Sequence, residues 1–152
     1  MIWVGVDPGA KGGYAVIEDV GKDKVAYAYP WDDTFFVFEM CNLMQRKAEG
    51  ITAVVEKVGA MPHQGVKSMF NFGKSAGFIE GVLSALGIPY QLIPPATWKK
   101  EFSLIGKDKK ASIEVCHRLY PNVGLFPTER SRVCSDGMAD ALCMAEYGRR
   151  HL

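Results

Sequence analysis

Four carboxylates stand out by where they sit. Asp7 closes the apolar run Ile2-Trp3-Val4-Gly5-Val6 and precedes the turn pair Pro8-Gly9. Glu56 closes a second run, Ile51-Thr52-Ala53-Val54-Val55. Asp136 and Asp140 are four apart in Ser135-Asp136-Gly137-Met138-Ala139-Asp140, a spacing that sets both on one face of a helix. A carboxylate at the edge of a core is costly to desolvate unless positive charge pairs with it. Taken singly, Asp7 also reads as a turn cap, and Asp136 as a first-turn acid favoured by the helix dipole. Asp140 has no such plain reading. Four acids without Cys or His partners make a hard, oxygen-rich donor set, which suits Mg²⁺ or Mn²⁺ rather than zinc. Two such ions per site can activate a water and stabilise the leaving oxygen in phosphodiester hydrolysis.

Acids so far apart in sequence need elements to gather them. An apolar run bounded by turn residues predicts a strand over 2–7, buried on both faces. Tyr14–Ile17 and Lys24–Tyr29 follow after short turns, which makes an antiparallel meander. A helix is expected from about Thr34 to Ala48. The strand ending at Glu56 follows that crossover and so runs parallel to the first. Asp7 and Glu56 then emerge at one sheet end, where open α/β sheets place their sites. A long helix is expected over Val66–Leu86, where Gly73 and Gly77 cost helix propensity and suggest close approach to another backbone. Tyr90–Ile93 reads as a fifth strand, and Thr97-Trp98-Lys99-Lys100 as the start of a polar, basic segment. A further helix is expected over Asp108–Leu119 and a loop over Tyr120–Cys134. Ser135 would cap a last helix through Tyr147, ended by Gly148. The expected architecture is α/β: one domain over 1–152, with a five-stranded mixed sheet, three strands antiparallel and then two parallel, flanked by helices.

Composition narrows the class further. A chain that is 48% hydrophobic and 23% charged is an ordinary globular one. It has no apolar run long enough for a membrane span. Its cysteines (Cys41, Cys116, Cys134, Cys143) form no CxxC or Cys/His spacing, so reduced thiols and a cytoplasmic location are expected (the host cytoplasm, were the chain phage-encoded). A net charge of +1 does not point to nucleic acid. Its distribution says more: acids crowd residues 18–39, and a series of lysines and arginines runs from Lys99 to Arg150, enough for a local basic face.

The ordered set of motifs resembles a known family. The meander, the helix, and acids closing strand one, strand four and heading a last helix resemble the RNase H-like nuclease fold. Within it, Val6-Asp7-Pro8-Gly9 with Ala139-Asp140-Ala141-Leu142 is similar to the RuvC-type Holliday-junction resolvases. Trp3-Val4-Gly5-Val6-Asp7-Pro8, Val55-Glu56, Pro95-Ala96-Thr97-Trp98-Lys99 and Ala145-Glu146-Tyr147-Gly148 are closest to a branch found in phages and chloroplasts. The resemblance implies a homodimeric, metal-dependent endonuclease that cuts four-way or branched DNA by paired nicks. It makes Asp7, Glu56, Asp136 and Asp140 the metal-binding acids, and Lys99 and Lys110 the lysines at the scissile phosphate. One departure is that bacterial members often space the last acidic pair by three, where this chain has four.

The resemblance also turns the loop after Glu56, from Gly59 through Met61 and His63 to Gln64, towards the junction centre. Lys57, Lys67, Phe70, Phe72 and Lys74 would face it too, while Lys99, Lys100, Lys107, Lys109 and Lys110 supply phosphate contacts. Bacterial relatives carry an aromatic wedge closer behind the strand-four acid, about where Gly59 stands here, so Phe70 or Phe72 is the candidate substitute. Three other readings stay open. They are a different RNase H-like nuclease acting on RNA–DNA hybrids, a junction-binding module without activity, and an ATPase using Asp7-Pro8-Gly9-Ala10-Lys11-Gly12 as a phosphate loop.

Overall fold

In the computed structural model, which describes residues 1–46, 50–60 and 62–152, the first strand is the middle of the sheet. Strands β1 (Ile2–Asp7), β2 (Gly13–Val20), β3 (Asp23–Pro30), β4 (Ile51–Glu56) and β5 (Tyr90–Ile93) lie in the order β3-β2-β1-β4-β5. β1 pairs antiparallel with β2, and β2 with β3, as the short turns require. β1 with β4, and β4 with β5, are parallel. This is the expected sheet.

Among the described residues, five helices complete the layers: α1 (Asp33–Gln45), α2 (Val66–Ala85), α3 (Pro95–Glu101), α4 (Ala111–Leu119) and α5 (Asp136–His151). Alternation along the strands splits the core in two. Val4, Val6, Val16 and Val55 pack on Phe36, Met40 and Leu43 of α1 and Ile79 and Leu83 of α2. Trp3, Ala15, Ile17 and Val54 face the other way, onto α5, Trp98 of α3 and Val115 of α4. α5 is buried almost all round, from Gly137 to Ala145 except at Asp140, as an interior helix must be. Its backbone lies directly on β1 and the turn beyond it. A Cβ added at Gly5 would strike the Ala141 carbonyl and the Ala145 nitrogen, and one at Gly137 the Lys11 carbonyl and Gly12.

Several expectations need correction. Thr97–Lys100, read from sequence only as the start of a polar, basic segment, is helical: Pro95 opens α3 at its first turn, where a missing N–H costs nothing. α4 begins at Ala111 rather than Asp108, because the Asp108 side chain folds over the start and accepts from the Lys110 N–H at 2.8 Å. α5 does not stop at Gly148. It runs on to His151, held by Glu146 pairing with Arg149 and Arg150 one turn ahead. Among the described residues, Gly73 and Gly77 approach no backbone, and a Cβ at either, or at Gly81, meets open space. α2 buries its opposite side, through Ala76, Ile79 and Leu83. The described part of α1 ends at Gln45, and Ala48 and Met61 lie outside the described residues.

Candidate metal centre and nucleic-acid cleft

The parallel register puts Val6 opposite Val55, so Asp7 and Glu56, each one residue further, leave the carboxyl ends of neighbouring strands. Alternation turns both towards the α5 side, with Gly5 and Val54. The Ser135 hydroxyl caps α5 by accepting from the Met138 N–H at 3.2 Å. The glycine contact then brings the first turns of α5, with Asp136 and Asp140, against the end of β1. Asp7, Asp136 and Asp140 line one cleft of about 430 Å³. Trp98, Lys99, Lys107, Asp108, Lys109 and Ser112 line it as well. Glu56 sits just behind it, and its Oε1 accepts from the Trp98 indole N–H at 3.1 Å.

Asp7 and Asp140 both feel burial and the neighbouring acids. Burial raises the Asp7 carboxyl from an ordinary 3.8 to about 8, with Glu56, Asp140 and Asp136 adding to the rise and Lys99 opposing it. Burial also raises Asp140 to about 6, against the pull of the Ser112 hydroxyl and Lys99. Glu56 is raised by burial too, while the Trp98 N–H and Lys99 favour its ionised form. Asp7 and Asp140 both pay to be buried in the ionised form, a cost that a positive charge placed beside them would offset.

Among the described residues, no three His, Cys, Asp or Glu side chains converge as a closed ligand group. Glu56 accepts from the Trp98 indole N–H, and the Asp136 carboxylate lies 4.0 Å from Lys109 Nζ. The donor set nonetheless fits a hard divalent cation: it is all oxygen, desolvated, and mutually repelling without one.

Of the expected basic residues, Lys99, Lys107 and Lys109 line the cleft. The Lys99 ammonium stands 5.3 Å from the centroid of the Trp98 ring. Lys110 is exposed at the start of α4 and is not part of the cleft lining. Lys57, Lys67, Lys74 and Lys100 are all exposed. The two candidate wedges differ. Phe70 is 70% exposed, whereas Phe72 is half-buried in the cleft wall, its ring beside Gly9. Sequence reasoning missed Trp98, Ser112 and Asp108. Only Trp98, next to Lys99 in a recognisable stretch, carried any signal.

The sheet order and the placement of α5 can be compared with solved structures. A T. thermophilus RuvC in complex with a Holliday junction substrate superposes with a TM-score of 0.60, covering 99% of this chain and 97% of that one at 14% identity. The fold is that of RuvC. A second T. thermophilus RuvC structure gives a TM-score of 0.54 at 16% identity, covering 99% and 96%. Neither a family model nor a curated protein sequence matches the chain. The likeness to RuvC is therefore one of architecture, shared end to end with little sequence in common.

Proposed function

We propose that the protein is a metal-dependent endonuclease that resolves four-way DNA junctions. The observation that carries this reading is the gathering of Asp7, Asp136 and Asp140 in a lysine-lined cleft, with Glu56 directly behind. It stands on a fold shared with a RuvC solved on a Holliday junction substrate. Asp7, Glu56, Asp140 and Asp136 would hold Mg²⁺ or Mn²⁺, two per site. Bound there, such ions would activate a water and offset charge on the leaving oxygen.

The chain's own residues supply the rest. Lys107 and Lys109, exposed at the cleft rim, attract the phosphate backbone through a salt-sensitive term. Lys99, half-buried and steadied over Trp98, is placed to stabilise charge developing on the scissile phosphate. Phe70, exposed on the first turns of α2, is better placed than Phe72 to stack into a branch point. Paired nicks need two sites, hence a homodimer.

The test is a synthetic four-way junction incubated with the protein and Mg²⁺ or Mn²⁺, beside linear duplex and an RNA–DNA hybrid. Paired cuts in the junction alone support the proposal. Cutting of the hybrid in preference, or junction binding with no cutting in either metal, overturns it.

A further inference from the structure

We propose that Trp98 is a positioning residue that locks the β4 acid Glu56 to the α5 acids through its indole N–H. The inference deepens the endonuclease reading and rests on it. Trp98 is fully buried, and its N–H donates to Glu56 Oε1 at 3.1 Å. One carboxylate oxygen is thereby engaged, and the other is left free to serve as a ligand. Partners of this kind, one bond behind the ligand, orient metal sites in general.

A buried indole usually finds some acceptor, so the bond could be no more than satisfaction of a core side chain. Trp3 argues otherwise. Its indole nitrogen is also buried and, among the described residues, has no hydrogen-bond partner, so burial alone did not bring an acceptor to that ring. The anchoring of α3 is the second reason. Glu101, three residues after Trp98, accepts from Arg150 at 2.9 Å and pairs with His151 at 3.2 Å. Arg150 also donates to the buried Glu146 at 2.7 Å and lies 5.1 Å from the centroid of the Phe102 ring. Thus α3 is tied to the far end of the helix that carries Asp136 and Asp140. The indole bond passes that constraint to β4, and the face of the same ring supports Lys99.

Truncating Trp98 would open the core, so the decisive replacement is β-(3-benzothienyl)alanine, which keeps the ring shape and puts sulfur where the N–H was. Trp98→Phe serves as a second variant. Manganese binding to the protein alone is measured by calorimetry, and the tryptophan indole N–H resonances are followed by NMR with added Mg²⁺. We expect the isostere to weaken Mn²⁺ binding about tenfold or more, with melting temperature and junction binding in EDTA unchanged. The Trp98 indole resonance should move on adding Mg²⁺ and in Glu56→Gln, while those of Trp3 and Trp31 stay put. An isostere that binds Mn²⁺ and cuts junctions with wild-type constants overturns this inference and leaves the endonuclease reading intact. A wild-type protein that neither binds Mn²⁺ nor cuts junctions overturns both.

Discussion

Replacing Asp7 by Asn should stabilise the metal-free protein at alkaline pH, an unusual expectation for a residue at the centre of a site. Asp7 titrates near 8 in the folded chain against 3.8 ordinarily, from burial first and then from Glu56, Asp140 and Asp136. A carboxyl whose folded-state pKa is raised contributes stability that is intact below pH 4 and is lost as pH rises through about 8. At about 1.4 kcal/mol per unit, the ceiling on that loss is about 6 kcal/mol. Water reaches the cleft and the neighbouring acids can relax, so we expect about 2 kcal/mol at pH 8, or about 6 °C in melting temperature for a chain this long. The assay is thermal unfolding in EDTA at pH 5 and pH 8 for wild type and Asp7→Asn. The variant should gain on wild type as pH rises. With excess Mg²⁺ or Mn²⁺ the order should reverse, because only the wild type gains stability from the ion. An Asp7→Asn protein that is no more stable at pH 8 in EDTA, or that gains as much from metal as the wild type, would refute the idea of crowded, desolvated acids.

Glu56→Gln should reduce junction cutting to background while junction binding in Ca²⁺ persists; robust Mg²⁺-dependent cleavage by it would remove Glu56 from the site. Gly5→Ala drives a methyl into the Ala141 carbonyl and should cost about 3 kcal/mol or more in urea unfolding, whereas Gly77→Ala, facing open space, should stabilise α2 by about 1 kcal/mol. Glu146 is buried, and despite burial its bonds to Arg149, Tyr120 and Arg150 hold it down to about 2. Its stabilisation should be present above pH 4.5 and vanish as pH falls towards 2, and Glu146→Ala, which takes the carboxylate from Arg149 and Tyr120 while Arg150 keeps Glu101, should cost about 3 kcal/mol by urea unfolding at pH 7.

Much of the site could be read before any coordinates. β1 and β4 announced themselves as unbroken apolar runs ending in acids, and the parallel crossover between them placed Asp7 and Glu56 at one sheet end. Ser135 marked the start of α5, and the four-residue step from Asp136 to Asp140 set both on one side. α3 was harder to see. Two prolines at its start and two lysines within it read only as a stop after β5 and a polar, basic segment, while the single buried Trp98 that fastens it to the core gave no periodicity to detect. Gly148 misled for a similar reason. A glycine that ends a helix and one that makes room for Val54 and Trp3 look alike in sequence.

What the chain decides locally is which face of each strand and helix is apolar, since periods of 2 and 3.6 follow from backbone geometry alone. That was enough for a mixed sheet of three antiparallel strands and then two parallel, and for the acids that close two of them. Which surface each face meets was left to the tertiary structure. Only there does Gly5 let α5 settle on β1 so that Asp140 comes up beside Asp7, and only there does Trp98 reach Glu56 across forty-two residues. Gly73 and Gly77 turn outward instead of inward for the same reason. Contacts between distant segments depend on packing partners and shape, and neither is written in the spacing of residues along one element.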